Sequence, residues 1–249
     1  MNNTTYAFLL CSLAGLSTMI GCFLIFFKGK KQKTLIGALA FAAGVMSCVS
    51  IVDLIPESLH YLGGKYTTFP TIIIMLIFMV VGIIISMTID KYLPETKQNN
   101  GKLYRVGIIS MLAIIMHNIP EGIATFMTSS TNLKIGISLS ISIALHNIPE
   151  GISISMPIYA STKNRGKAIG YTFISALSEP FGALLAFLFL KDIMTNTFMG
   201  MLLAIIAGIM LHISFYELLP ESLSYKNKKI TIIFFLLGIC FMLINHFVF

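Results

Sequence analysis

A seven-residue motif that could bind a metal ion occurs twice near the middle of the chain. It reads His-Asn-Ile-Pro-Glu-Gly-Ile, from His117 to Ile123 and again from His146 to Ile152. Imidazole nitrogens together with amide and carboxylate oxygens suit zinc, iron(II), manganese or cobalt better than copper(I), which prefers sulfur. Chance repetition of so specific a string is very unusual, so the two copies predict one shared site.

The spacing inside each motif brings its ligands to one face if the segment is helical. At about 100° per residue, His117 and Glu121 lie about 40° apart, with Asn118 about 60° beyond the glutamate. The copy that begins at His146 repeats this arrangement. Proline at the fourth motif position removes a backbone hydrogen bond, so we expect each helix to be loosened beside its ligands.

Three carboxylates lie deep in apolar stretches: Glu121, Glu150 and Glu179. Burying a charged side chain at the centre of a bilayer costs roughly 2.5–3.5 kcal/mol on insertion scales. Without lysine or arginine nearby, three clustered carboxylates repel one another, so either they are protonated or a cation holds them together. Helical geometry favours one or two divalent cations, although Glu179 could instead be a protonated packing residue.

The composition requires a bilayer around these helices. Hydrophobic residues make up 56% of the 249 positions and charged residues only 11%, whereas soluble domains carry about 25% charged residues. Apolar stretches long enough to cross a bilayer recur eight times. We predict an all-α integral membrane protein, a single transmembrane domain over residues 1–249. The eight predicted spans are Thr5–Phe27, Thr34–Leu59, Phe69–Ile89, Val106–Met127, Ile135–Tyr159, Ala168–Leu190, Phe198–Leu219 and Ile230–Phe247.

The basic residues predict which side of the membrane each loop faces. Fourteen of the seventeen lie in odd-numbered loops, and only Lys65, Lys134 and Lys191 lie in even-numbered loops. Cytoplasmic loops are enriched in lysine and arginine, so odd loops are predicted to be cytoplasmic and both termini outside. The net charge of +7 follows from this alternation and does not indicate nucleic-acid binding.

A second motif also occurs twice, near the ends of spans 2 and 7. It reads Asp53-Leu-Ile-Pro-Glu-Ser-Leu and Glu217-Leu-Leu-Pro-Glu-Ser-Leu, and the copies lie at opposite membrane faces. Spans 1–3 and 6–8 are therefore predicted to be inverted repeats around central spans 4 and 5, which is typical of alternating-access transporters. Either Asp53 and Glu57 gather metal outside while Glu217 and Glu221 receive it inside, or all four are solvated helix caps.

Two alternatives to metal transport stay open at this point. The first is an intramembrane metal-dependent enzyme, because buried histidine and glutamate can activate a water molecule. Such an enzyme would need a catalytic base beyond the ligands, as in HExxH, whereas this chain has two symmetric copies of HNIPE. The second is a metal-free proton-coupled carrier. The remaining histidines, His60, His212 and His246, are interpreted as structural or interfacial.

Three features of this chain resemble the ZIP (Zrt/Irt-like) family of metal transporters. They are the paired HNIPEG motifs, Ser178-Glu179-Pro180 in span 6, and eight spans with both termini outside. The resemblance covers the whole chain. The short length of the chain and its His117/His146 pair are most similar to the bacterial zinc transporters of the family. It implies uptake of zinc, with iron(II), manganese, cobalt or cadmium as further cargo, across the cytoplasmic (inner) membrane of a bacterium. It also implies a homodimer without enzymatic activity or a cofactor.

The resemblance further implies a binuclear metal centre in spans 4, 5 and 6. Carried onto matching positions, the first ion would use His117, Glu121, His146 and Glu150. The second ion would use Asn118, Glu121, Asn147, Glu150 and Glu179. Many family members have a histidine-rich loop between spans 3 and 4. Here Asp90–Arg105 contains no histidine, so metal sensing by this loop is not expected.

The predicted orientation can be tested by cysteine labelling. In a background without the four native cysteines, single cysteines at Thr5 and Phe249 should react with an impermeant thiol reagent added outside. A cysteine at Asn99, in a loop with many basic residues, should not react because that loop is predicted to be cytoplasmic. Labelling at Asn99 alone would reverse the assigned orientation.

Overall fold

The computed structural model describes residues 3–27, 31–63, 68–92, 101–189 and 195–248, and in these ranges the chain is almost entirely helical and contains no strand. We number the helices α1–α8 in the order of the predicted spans. They are Asn3–Phe26 (α1), Gln32–Gly63 (α2), Phe69–Tyr92 (α3), Gly101–Thr131 (α4), Leu133–Thr162 (α5), Arg165–Phe189 (α6), Asn196–Ser224 (α7) and Lys228–Val248 (α8).

All of these helices except α5 are both long and apolar enough to cross a membrane. α5 has 30 residues, which is ample length, but its sequence carries the second metal-binding motif and several serines. A helix this polar is tolerated because α5 packs against α1, α2, α4 and α6, so its polar residues face protein and not lipid. The prediction of an all-helical membrane protein is confirmed, with one central helix more polar than the rest.

Several helices extend beyond the predicted apolar stretches. α4 begins at Gly101, whereas the predicted span began at Val106. A helix continues past the hydrocarbon region while its backbone hydrogen bonds are satisfied, and hydropathy does not report this. The predicted loop Asp90–Arg105 is therefore too long at both ends, and its residues 93–100 lie outside the described residues. The following residues of the sequence predictions also lie outside them: Lys28, Lys30, Lys65, Leu190, Lys191 and Phe249.

The helices form two groups that meet at α5. In the first group, α4 packs against α1, α5 and α6, and α5 also packs against α1. In the second group, α2 packs against α7 and α8, and α3 packs against α7. Contacts between α5 and α2 join the groups, so the two helices that carry the metal-binding motif lie in the interior of the bundle.

The two copies of the second motif have the same local structure. Each contains a π-helical turn, Ser50–Leu54 in α2 and Ile213–Leu218 in α7. The residue after each turn donates its backbone N–H to a serine carbonyl. Ile55 donates to Ser50, and Leu219 donates to Ser214. A proline comes next in both helices. Because proline has no N–H, it cannot continue the normal α-helical bonding, and a wider turn accommodates it.

Reciprocal hydrogen bonds show that α2 and α7 run in opposite directions. Ser58 Oγ, near the end of α2, donates to the carbonyl of Gly200, near the start of α7, at 2.7 Å. Ser222 Oγ, near the end of α7, donates to the carbonyl of Ile36, near the start of α2, at 2.9 Å. The two bonds join equivalent positions of the two repeats. The motif copies therefore lie at opposite ends of the bundle, as the inverted repeat predicts.

The prolines of the first motif do not interrupt their helices. α4 and α5 remain α-helical through Pro120 and Pro149, so the predicted loosening beside the ligands is wrong for the backbone path. Both prolines are buried, and packing by neighbouring helices maintains the chain direction there. The interruption occurs in α6 instead, at Leu177, shortly before Glu179.

The glycine of the first motif permits the closest helix contacts around the ligands. A methyl group at Gly122 would overlap the backbone of Glu179 in α6, and a methyl group at Gly151 would overlap the carbonyl of Thr18 in α1. Membrane helices commonly approach one another through small residues in this way. Gly122 therefore sets how closely the backbone of Glu179 approaches the motif in α4.

Alanine at these glycines should destabilise the protein. Gly122→Ala and Gly151→Ala should each cost about 1–3 kcal/mol, because the added methyl group forces two helices apart. Gly170→Ala is the matched control, since a methyl group in that part of α6 would meet no atom within 4 Å. It should be neutral or stabilising by up to about 1 kcal/mol. Thermal unfolding in detergent, followed by circular dichroism, measures all three. Equal unfolding temperatures for Gly122→Ala and Gly170→Ala would contradict the close packing.

Candidate metal-binding site

Two helices bring two histidines and a glutamate together inside the bundle. His117 and Glu121 lie one turn apart on α4, with His117 Nε2 3.1 Å from Glu121 Oε1. His146 Nε2, from α5, lies 3.0 Å from the same carboxylate oxygen. One ligand atom from each of the three residues lies within 4.8 Å of the other two. One metal ion bound by nitrogen and oxygen atoms at about 2 Å can span such separations.

Glu150 completes this cluster from α5. Its Oε1 lies 3.6 Å from His117 Nε2, the side chain is buried, and neither carboxylate oxygen has a hydrogen-bond partner. Each histidine therefore faces a glutamate from the other helix, His117 facing Glu150 and His146 facing Glu121. The structure brings together the four residues predicted for the first ion.

A second polar group includes a residue of α6. Asn147 Nδ2 donates to Glu179 Oε2 at 2.8 Å and to the carbonyl of Ala14 in α1 at 2.9 Å. Asn118 is fully buried, and neither its nitrogen nor its oxygen makes a hydrogen bond. Three residues are predicted to bind the second ion and not the first. Asn147 and Glu179 are hydrogen-bonded to each other, and Asn118 is buried without a hydrogen bond.

Buried polar atoms without a hydrogen bond are concentrated in the predicted ligands. A buried polar atom left in this state costs about 1–3 kcal/mol, so native structures contain few of them. Their concentration at one place suits a cation that accepts electron pairs from the oxygen atoms and unprotonated ring nitrogens among them, whereas an amide nitrogen can only donate a hydrogen bond. The buried atoms without a hydrogen bond include His117 Nδ1, both polar atoms of the Asn118 amide, Glu121 Oε2, His146 Nδ1, Asn147 Oδ1, both oxygens of Glu150, and Glu179 Oε1.

Positive charge for these carboxylates does not come from lysine or arginine. Among the described residues, the ion pairs that involve those side chains are Lys102–Glu221 and Arg105–Asp90, and both lie away from the cluster. If the central glutamates are ionised, either protonated His117 and His146 or a bound cation must balance them. Mixed nitrogen and oxygen ligands of this kind suit zinc, iron(II), manganese or cobalt.

A cavity of about 850 Å³ connects this cluster with one end of the bundle. Glu121 and His146 form part of its wall, and farther out Asp53, Glu57 and Lys134 line it. Lys134 lies in the first turn of α5, so we call this end of the bundle the α4–α5 end. The structure places Asp53 and Glu57 beside this route to the cluster.

The other two predicted pathway carboxylates lie at the opposite end of the bundle. Glu221 is buried, and its Oε2 lies 3.1 Å from Lys102 Nζ in the first turn of α4. Glu217 is half-buried one turn earlier on α7. Neither of them lines the cavity described above. Asp53 and Glu57 thus line the cavity at the α4–α5 end, whereas Glu217 and Glu221 lie at the other end, where Glu221 is paired with Lys102.

His246 is absent from the predicted ligands, yet it lines the same cavity. Its Nδ1 lies 2.6 Å from Asp53 Oδ1, so a purely structural or interfacial interpretation is incomplete. The contact joins α8 to α2, residues far apart in sequence, and neither periodicity nor a motif signals it. His212 is different, since its Nδ1 lies 2.9 Å from Ser86 Oγ and its ring stacks on Tyr216, which fits a structural role.

Comparison with known proteins finds relatives along nearly the whole chain. The family model described as ZIP zinc transporter matches residues 93–246. The zinc transporter ZupT of Clostridium perfringens is 37% identical over 274 residues, which cover 98% of this chain and 96% of that protein. ZupT of Chlorobaculum parvum is 40% identical over 91% of each chain, and ZupT of Akkermansia muciniphila is 40% identical over 95% of each chain.

The matched region includes both copies of the HNIPEG motif and the helices α4 to α7 that surround them. It covers more than half of the chain, and the relatives extend the likeness to the remaining helices. The family resemblance that the motifs predict is therefore confirmed: this chain belongs to the ZIP family of zinc transporters.

Proposed function

We propose that this protein carries zinc into the cytoplasm. The observation on which this rests is the cluster of His117, Glu121 and His146, which a cavity connects with one end of a membrane-spanning bundle. Relatives named as zinc transporters support zinc as the cargo. Iron(II), manganese, cobalt and cadmium are further candidate cargoes, since the same nitrogen and oxygen atoms can bind other divalent ions.

The transported ions occupy a binuclear centre in this proposal. The first ion is bound by His117, Glu121, His146 and Glu150. The second ion is bound by Asn118, Glu121, Asn147, Glu150 and Glu179. The contacts of Glu121 support a bridging role, because its Oε1 lies near both histidines while its Oε2 has no hydrogen-bond partner.

Asn147 and Glu179 are the part of the second ligand set that the structure joins directly. The amide nitrogen of Asn147 faces Glu179, so a metal ion between them requires the amide oxygen in that place. A rotation of about 180° around the last side-chain bond exchanges the two amide atoms. After this rotation, the carboxylate and the amide both present oxygen to the ion.

The basic residues and the cavity support transport towards the cytoplasm. The cavity reaches the α4–α5 end, which the positive-inside rule assigns to the outside. Metal therefore enters past Asp53 and Glu57, binds at the centre, and leaves at the end that carries Glu217 and Glu221. The relatives are bacterial proteins, which supports a location in the bacterial cytoplasmic membrane. The family resemblance supports a homodimer.

Removal of the shared carboxylate should stop transport. In liposomes that contain a zinc indicator, the wild-type protein should admit zinc and Glu121→Ala should not, because both proposed ions lose a ligand. His60→Ala is the matched control, since the His60 ring packs against Tyr61 near the end of α2 and does not line the cavity. It should keep wild-type uptake. Normal uptake by Glu121→Ala would contradict the proposed centre, and peptide cleavage without zinc influx would instead favour an intramembrane enzyme.

Variants of the unshared ligands should change metal preference. His117→Ala should reduce zinc uptake more than iron(II) uptake, because imidazole favours zinc relative to harder oxygen ligands. Asn118→Ala and Glu179→Ala should reduce iron(II) or manganese uptake more than zinc uptake. Bound metal in purified protein and uptake of zinc and iron(II) are measured side by side for the three variants. Equal loss of both metals in His117→Ala and Asn118→Ala would show that the ions do not use separate ligand sets.

A further inference from the structure

We infer that Asp53 and His246 form an additional site that captures a divalent metal ion at the mouth of the cavity, separate from the central cluster. The inference extends the proposed function, which supplies the identity of the ion. It rests on the geometry of these two residues, on their exposure to the cavity, and on a difference between the two ends of the repeat.

The two ligand atoms are already together in the structure. His246 Nδ1, near the end of α8, lies 2.6 Å from Asp53 Oδ1 in the π-helical turn of α2. Two ligands of one metal ion lie slightly farther apart than this, so a small movement of either side chain admits an ion between them. Glu57 lies about one turn beyond Asp53 and lines the same cavity, but its carboxylate does not lie within 4.8 Å of both ligand atoms of the pair, so its side chain would have to move to supply a third oxygen.

The pair is more exposed than the central ligands, and both of its residues line the cavity. The side chains of Asp53 and His246 are 28% and 38% exposed, whereas that of His117 is 1% exposed. Water can therefore complete the coordination shell and exchange rapidly. Lys134 lies on the same cavity wall and partly offsets the two carboxylates. These features predict weak, rapidly exchanging binding, which suits a site that must pass its ion onward.

The opposite end of the repeat lacks an equivalent of His246. Ser58 and Ser222 occupy equivalent positions in the two repeats. The same separation in sequence makes Gly82 the equivalent of His246, and glycine has no side chain to bind metal. A methyl group there would overlap the backbone of Ile205. At that end Glu221 is instead paired with Lys102, whose ammonium group cannot bind a metal ion. One end thus offers a nitrogen ligand beside Asp53, whereas at the other end a carboxylate is paired directly with an ammonium group.

Metal binding at the pair exchanges a proton without any redox step. The hydrogen bond between Asp53 and His246 holds one proton between an oxygen and a nitrogen. When the ion binds, Asp53 Oδ1 and His246 Nδ1 each donate an electron pair to it. A ring that starts as imidazolium releases its Nδ1 proton to water and keeps the one on Nε2, whereas a neutral ring protonated at Nδ1 gives that proton to water and takes one up at Nε2, with no net release. The neutral ring then carries its single proton on Nε2, which is the form that imidazole takes as a metal ligand.

The test counts zinc ions and measures the zinc dependence of uptake. Purified protein is equilibrated with zinc by dialysis, and wild type should bind one more weakly held ion than His246→Gln. The affinity for that ion should fall at least about tenfold, since loss of even an indirect partner of a metal ligand costs this much. In liposomes, His246→Gln should raise the zinc concentration for half-maximal uptake and leave the maximal rate unchanged.

Three further variants separate metal binding from a structural hydrogen bond. Asp53→Asn should lose the weak ion, although asparagine can still bond to His246. His246→Asp should keep the weak ion and a low half-saturation concentration, because aspartate binds zinc. If the contact were only structural, His246→Asp would be worse than His246→Gln, since two carboxylates repel one another. His60→Gln is the matched histidine control and should behave as wild type.

The outcomes also distinguish this site from the proposed central one. Glu121→Ala should lose tightly bound zinc and all uptake but keep the weak ion, so a failure of the central proposal leaves the mouth site measurable. An unchanged ion count in His246→Gln and Asp53→Asn would overturn the capture site. So would an equal rise in half-saturation concentration for His246→Gln and His246→Asp without any change in the ion count.

Discussion

The need to balance three carboxylates in the interior of the bundle, two of them buried and the third 11% exposed, constrains much of this structure. Glu121, Glu150 and Glu179 lie inside a bundle that passes through a hydrocarbon layer, and no lysine or arginine in the described residues is paired with them. A charged side chain at that depth is costly unless a partner compensates it. Helices α1, α4, α5 and α6 pack closely around the glutamates, and the motif glycines allow this approach. The polarity that makes α5 a poor membrane span by hydropathy is thus the polarity that the site requires.

The inverted repeat preserves backbone structure more strictly than it preserves chemistry. Both copies of the second motif have a π-helical turn with a serine carbonyl as acceptor, followed by a proline. The side chains around them differ, because Asp53 meets a histidine while Glu221 meets a lysine. Related backbones at both ends are typical of inverted repeats. The direction of net movement is set by the electrochemical gradient of the ion, whereas side chains that differ between the ends can change the rates of its capture and release.

The sequence predicts the central ligands well because they follow from local periodicity. His117 and Glu121 share a helix face by their spacing alone, and the structure places them 3.1 Å apart. It does not predict the contact of His246 with Asp53, which depends on how α8 packs against α2. The sequence analysis expects proline to loosen the backbone of α4 and α5, whereas the structure shows widened turns in α2 and α7. Pro120 lies in a fully packed helix that stays regular, whereas Pro56 and Pro220 follow widened turns. The sequence shows which backbone hydrogen bond each proline removes, but the packing of neighbouring helices decides whether the helix is distorted there.

The reciprocal serine bonds between α2 and α7 have a mechanical consequence. Ser58 fastens the end of α2 to the start of α7, and Ser222 fastens the end of α7 to the start of α2. Two rods tied at both ends cannot slide or splay relative to each other without breaking a tie. A rearrangement that keeps both bonds would therefore move α2 and α7 together. Such a joint movement would carry Asp53 on α2 and Glu217 on α7 at the same time, although the two residues lie at opposite ends of the bundle.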